Sequence, residues 1–263
     1  MRLSITNVLA TAGLAVLTAC GSGNQSSSGD EAESDVLTLT KAPASPAYDE
    51  ASLSLDALDV LEVDSTYEGS FSFSVNNYEL GVQTADASER GIANSGKGQH
   101  IHFIANNGPY SAHYEPTFTK QLEEGNHVLL AFLSRSYHES VKNASAYYID
   151  VVTVGNPSEE TDVDLSAPHM FYSRPKGTYV GDDVSKLMID FYLLNTSISP
   201  NGNKVRATVN GQEFLIDEWA PYYIEGLAFG TVTVQLELID ASGNLIPGPF
   251  NSVTREVTLK ESE

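Results

Sequence analysis

Residues 67–75 read YEGSFSFSV. Phe71, Phe73 and Val75 alternate with Ser70, Ser72 and Ser74. Successive side chains of a strand point to opposite faces, so this run has one apolar face and one polar face. A period of two is the mark of a half-buried β-strand, not of a helix. Similar runs follow at 100–105 (HIHFIA), 128–133 (VLLAFL), 147–154 (YYIDVVTV), 187–194 (LMIDFYLL), 204–209 (KVRATV), 231–238 (TVTVQLEL) and 257–259 (VTL). Gly, Asn and Pro punctuate the stretches between them. Short strands separated by turn residues predict an all-β chain in which sheets pack face to face and bury their apolar sides.

The strands repeat. HIHFIANNGPYSAHYEPTF (100–118) followed by EEGNHVLLAFL (123–133) is matched by KVRATVNGQEFLIDEWAPYY (204–223) followed by GLAFGTVTVQLELID (226–240). Tyr114 falls opposite Trp219, Pro116 opposite Pro221 and Leu129 opposite Val234, an offset of 105 (129 to 234). Each half has a strand that ends in Asn-Gly, which suits a tight hairpin because both residues tolerate positive φ. The expected fold is two tandem immunoglobulin-like β-sandwich domains, over 55–156 and 167–261, joined by a polar linker at 157–166.

All six histidines lie between 100 and 169, and five of them between 100 and 138. His100 and His102 are two apart in a strand and so share a face. With Ile101 and Phe103 turned to the core, the two imidazoles are expected to face solvent or a cleft. His113, His127 and His138 are candidates to complete a metal site with them. Three imidazoles and a water suit zinc, or copper(II) with nitrogen and oxygen donors. The second half places Lys204 and Arg206 where the first has His100 and His102. No GxSxG, zinc-protease spacing or phosphate-binding glycine loop occurs in the chain.

Net charge is −21, which excludes a nucleic-acid binder because that function needs a basic footprint. Against this background FYSRPKG (171–177) is locally basic, and Arg174 and Lys176 are candidate anion ligands, as is Arg135 near the histidines. Thirteen tyrosines offer flat rings on which a glycan could stack.

The first residues read MRLSITNVLATAGLAVLTAC. A cation followed by a short apolar run is the pattern of a secretory leader, and the run falls short of the about 20 apolar residues that span a bilayer. Leu17-Thr18-Ala19-Cys20 resembles the lipobox of bacterial lipoproteins. The resemblance implies cleavage after residue 19, lipidation of Cys20 and, with Gly21 following, anchoring in the outer membrane. Cys20 is the single cysteine, so no intrachain disulfide can form and no thiol serves a blue-copper centre. Residues 20–54 begin Ser-, Gly- and acid-rich and are expected to form a flexible tether.

Two further resemblances concern the body of the chain. GQHIHFIANNGPY with LEEGNHVLLAFLSRSYHE is similar to a family of uncharacterised exported β-sandwich domains with a His-rich strand and a closing His. His100, His102, His127 and His138 fall on its motif positions, and Gln99 stands where that family has a further His. FYSRPKG with LMIDFYLLNT resembles Bacteroidetes lipoproteins labelled phosphopeptide-binding. The expected function is that of a lipid-anchored cell-envelope binding protein holding zinc or copper at its histidine cluster. The alternative is a glycan- or protein-binding adhesion module without metal.

Overall fold

The computed structural model describes residues 36–158 and 163–262. The expected leader, Cys20 and the first part of the expected tether lie outside the described residues. Every regular element longer than one 3-10 turn is a strand, and no α-helix occurs among the described residues.

The first sandwich is built from β2 (Ser52–Val63), β3 (Thr66–Asn76), β4 (His100–Ala105), β5 (Ser111–His113), β6 (Thr117–Leu122), β7 (Gly125–Ser134) and β8 (Tyr147–Val154). They form a sheet ordered β2-β3-β6 and a facing sheet ordered β5-β4-β7-β8. The second sandwich has β9 (His169–Arg174), β10 (Gly177–Val180), β11 (Leu187–Leu194), β12 (Lys204–Val209), β13 (Gln212–Ile216), β14 (Tyr222–Glu225), β15 (Gly230–Ile239) and β16 (Ser252–Lys260). Its sheets run β14-β11-β9 and β10-β16-β15-β12-β13, with β1 (Thr38–Lys41) added beside β14. The order of the first sandwich therefore recurs in the second, with β1 and β10 as additions at the edges. This is the expected pair of immunoglobulin-like β-sandwiches.

The alternation in YEGSFSFSV does what its period dictates. Phe71 and Phe73 enter the first core with Ile101, Phe103, Leu129, Ala131 and Leu133 from the facing sheet. Phe71 and Phe103 meet edge to face at 4.8 Å between ring centroids. Each such side chain taken out of water contributes roughly 1.5–3 kcal/mol. The second core is built in the same way from Ile189, Phe191, Val205, Ala207, Val234 and Leu236.

A third apolar cluster lies between the sandwiches. Ile104, Val128, Leu130 and Phe132, from the outer face of β4 and β7, meet Phe171, Tyr192 and Leu194 from β9 and β11. Phe132 stacks on Tyr192 at 4.8 Å. Strands β7, β9 and β11 are thus covered on both faces, which is why VLLAFL and LMIDFYLL are apolar at both parities. The described residues, 36–158 and 163–262, accordingly belong to one compact unit. A buried ion pair crosses the same seam: Lys142 Nζ lies 2.6 Å from Asp190 Oδ1, which also accepts from the Ser140 hydroxyl at 3.0 Å.

The chain departs from the expected tether between 38 and 54. β1 pairs antiparallel with β14, Thr38 against Glu225 through Lys41 against Tyr222. The segment after it is held by two buried arginines. Arg90 donates to the carbonyls of Pro43 and Ala44 at 2.7 and 2.8 Å, and Arg135 to that of Pro46 at 2.6 Å. β2 begins at Ser52, inside the stretch expected to be tether. Its alternation is hidden by a β-bulge between Leu55 and Ala57, which moves the core-facing residues from Leu53 and Leu55 to Leu58 and Val60.

Candidate metal centre

β4 and β7 pair antiparallel, with His100 opposite Ser134 and His102 opposite Phe132. Ile101 and Phe103 point into the first core, so His100 and His102 point outward, as their spacing predicts. They do not reach solvent. The second sandwich covers that face, and both residues are fully buried. His102 Nδ1 lies 3.3 Å from the Ser173 hydroxyl of β9.

A third imidazole closes on them from the loop after β7. His138 Nδ1 is 3.1 Å from His100 Nε2, which is 2.9 Å from His102 Nε2. One donor atom from each of the three lies within 4.8 Å of the others. His138 is half-buried and forms the open side of the cluster. An ion held at about 2.0–2.1 Å by tetrahedral nitrogen donors sets those donors about 3.3 Å apart. The two spacings from His100, 2.9 and 3.1 Å, approach that value.

The tautomers favour ligation. His100 Nδ1 sits 2.8 Å from the Gly98 carbonyl, which can only accept, so Nδ1 carries the proton and Nε2 presents its lone pair to the cluster. The rings are held neutral. Burial pushes His100 down to about 4, against the pull of the Gly98 carbonyl and with help from Arg174 and Lys176. Burial also drives His102 and His138 well below the ordinary imidazole value, and the neighbouring cations and rings add to it. Tyr110 completes the surround. Its ring stacks on His102 at 3.5 Å, and its hydroxyl is 3.2 Å from His138 Nδ1 and accepts from Arg174 at 3.1 Å. Burial raises this phenol to about 12 in spite of the Arg174 charge.

The loop that carries His138 has a counterpart in the second sandwich. Ser134 bridges Ser140 as Ile239 bridges Leu245, and His138 donates its N–H to the Arg135 carbonyl as Gly243 donates to that of Asp240. His138 therefore stands where the second loop has glycine. Its φ is +69°, against +85° at Gly243, a left-handed conformation that glycine adopts without strain. The hairpins correspond as well. Asn106 and Asn210 both have positive φ, and their side-chain oxygens accept from Val128 N at 2.8 Å and Thr233 N at 2.9 Å.

Two expected ligands lie elsewhere. His113 pairs with Ile101 and so belongs to the opposite face of the sheet. It stacks on Phe118 at 3.5 Å, and its Nε2 meets the Ser111 hydroxyl at 2.8 Å. His127 lies at the far end of β7 from Ser134 and bonds the Glu123 carbonyl at 2.8 Å. The expected anion ligands are also placed differently. Arg135 is buried and committed to Glu139 at 3.2 Å and to the Ser140 and Pro46 carbonyls. Lys176 donates to the Tyr110 carbonyl at 2.6 Å, and Arg174 is buried beside the histidines, so FYSRPKG is part of the seam and not an exposed basic loop. The residues that sequence reasoning did not join to the cluster are Tyr110 and Ser173. Nothing in the spacing of either marks it.

No family model matches the chain, and no curated protein matches it. Among solved structures it is similar to the fibronectin(III)-like modules of CbhA from Clostridium thermocellum, at 12% identity over 80% of this chain and 94% of that one, with a TM-score of 0.28. It is similar to the central fibronectin-III array of RIM-binding protein at 11% identity over 84% and 72%, with a TM-score of 0.26. It is also similar to SGBP-B of the Bacteroides ovatus mixed-linkage glucan utilization locus, solved with a mixed-linkage heptasaccharide, at 13% identity over 84% and 64%, with a TM-score of 0.21. At these identities and scores nothing about ligand or activity transfers.

Proposed function

We propose that this chain is a lipid-anchored protein of the bacterial cell envelope that binds zinc or copper(II) at His100, His102 and His138. The observation that carries the metal reading is the convergence of three neutral imidazoles, one with its tautomer fixed by a carbonyl, in a pocket buried between two sandwiches. Two of them face each other across 2.9 Å. That approach needs either a shared proton or a cation between the lone pairs. The anchor and the outer-membrane address rest on Leu17–Cys20 and Gly21.

Calorimetric titration of the detergent-solubilised full chain with Zn²⁺ and Cu²⁺ tests the reading. One ion per chain at sub-micromolar affinity, lost in His100→Ala/His102→Ala, supports it. Weak multi-site binding unchanged by the substitutions sinks it. Incorporation of labelled palmitate, abolished in Cys20→Ser, tests the anchor. One observation favours glycan binding without metal: an open groove of about 680 Å³ lined by Lys97, His113, Tyr114 and Glu115. Glycan binding lost in Tyr114→Ala, beside a null metal titration, would select that reading.

A further inference from the structure

Arg174 is buried in the seam, and among the described residues no carboxylate pairs with it. Asp190 and Asp183 act on it without pairing, and Asp190 is taken by Lys142. Arg174 Nε makes no hydrogen bond, and its guanidinium lies 5.2 Å from the centre of the Tyr179 ring. A buried cation with no direct ion-pair partner favours an anion that can approach it. Lys176 adds a second positive charge 3.9 Å over the Tyr110 ring. A divalent ion on three neutral imidazoles would raise the local positive charge further. The pocket therefore calls for a negative donor at the metal.

One oxygen is placed to become that donor. Tyr110 Oη is 3.2 Å from His138 Nδ1, close to the 2.9 and 3.1 Å that His100 Nε2 keeps from the other two imidazoles. It also accepts the one side-chain hydrogen bond in which Arg174 is the donor. Building on the metal reading above, we propose that Tyr110 is the fourth ligand, bound as phenolate, with Arg174 of the second sandwich neutralising its charge. On binding, the Tyr110 O–H bond breaks, a metal–oxygen bond forms and the proton leaves to bulk water. No electron is transferred. The site is then N₃O, with all four ligands on the first sandwich and the charge that balances the phenolate on the second.

The test is titration of the full chain with Cu²⁺, followed by visible absorption. The wild type is expected to take up one copper and to show a phenolate-to-copper charge-transfer band that rises with it. Tyr110→Phe is expected to keep one copper on its three imidazoles, to lose the band and to bind about 10- to 100-fold more weakly. Tyr114→Phe, which alters the other tyrosine near His100, is expected to keep the band. One copper bound by the wild type without the band overturns the proposal whatever the variants do, and so does a band that survives in Tyr110→Phe. No copper bound at all overturns the metal reading itself, and this proposal with it.

Discussion

The outer face of β4 and β7 and the outer face of β12 and β15 occupy the same place in the two sandwiches. In the first, His102 pairs with Phe132. In the second, Arg206 pairs with Glu237. Phe132 is fully buried against Tyr192 of the other sandwich, whereas Arg206 and Glu237 form an ion pair at 2.7 Å with both side chains partly open to water. The strand frame is shared and the neighbour differs. Where a second sheet covers the face, histidines are desolvated and kept neutral. Where water covers it, the same positions carry full charges. The chemistry of the site is thus set by what packs on the sheet.

Exchanging the paired residues should break this comparison most strongly. Phe132→Glu places an unpaired carboxylate in the seam, and a loss of at least about 4 kcal/mol in denaturant unfolding is expected. Glu237→Phe gives up only a partly exposed ion pair and should cost no more than about 1 kcal/mol. Similar losses from the two substitutions would mean that the seam does not control burial. The ion pairs obey the same logic. Asp190→Ala leaves Lys142 in the seam without its partner and should cost roughly 3 kcal/mol or more, because an uncompensated buried charge is heavily penalised. Glu237→Gln, at the partly exposed pair, should again stay within about 1 kcal/mol.

Acid should separate the two faces next. In the metal-free protein His100 is lowered from its ordinary value to about 4 by burial, and His102, His138 and His113 are lowered too. Between about pH 6.5 and 4 the unfolded chain therefore binds more protons than the folded one, so stability falls as pH falls through that window. The shift of His100 alone corresponds to a loss on the order of 3 kcal/mol. Unfolding midpoints measured across this range should fall steeply in the wild type. They should fall much less in His100→Gln/His102→Gln. An equal slope in both would show that groups other than these two imidazoles govern acid sensitivity.

The strands and the shared outer face of His100 and His102 were legible because strand parity is local and the turn residues are explicit. The identity of what covers that face was not, since it depends on a partner more than 60 residues away in the chain (His102 to Ser173). A clue was nonetheless present: VLLAFL and LMIDFYLL are apolar at both parities, which marks strands covered on both sides. β2 was missed because the bulge at residue 56 interrupts its period. His113 could be assigned to the wrong set because its face is fixed only once the Asn106-Asn107 hairpin sets Ile101 against it. His138 belongs to no strand. Its approach to the cluster follows from a loop whose shape the second sandwich repeats around a glycine.

That loop supplies the finest test. A residue other than glycine at φ +69° holds backbone strain of about 1–3 kcal/mol. Glycine removes the strain but gives the unfolded chain more freedom, which takes back about 0.4–1 kcal/mol. The ring's two hydrogen-bonding contacts, to His100 and Tyr110, are lost as well, at about 0.5–1.5 kcal/mol each, so His138→Gly should leave the metal-free protein within about 1 kcal/mol of the wild type. The reciprocal Gly243→His should destabilise by about 1 kcal/mol or more, since nothing in its loop rewards an imidazole. Metal affinity should collapse in His138→Gly and stay unchanged in Gly243→His. Stability that rises while binding is lost would identify His138 as a residue kept for its ligand atom at the expense of the fold. A fall of more than about 1 kcal/mol in metal-free His138→Gly would instead make the ring a structural part of the seam, and the contrast with Gly243 would then reflect packing alone.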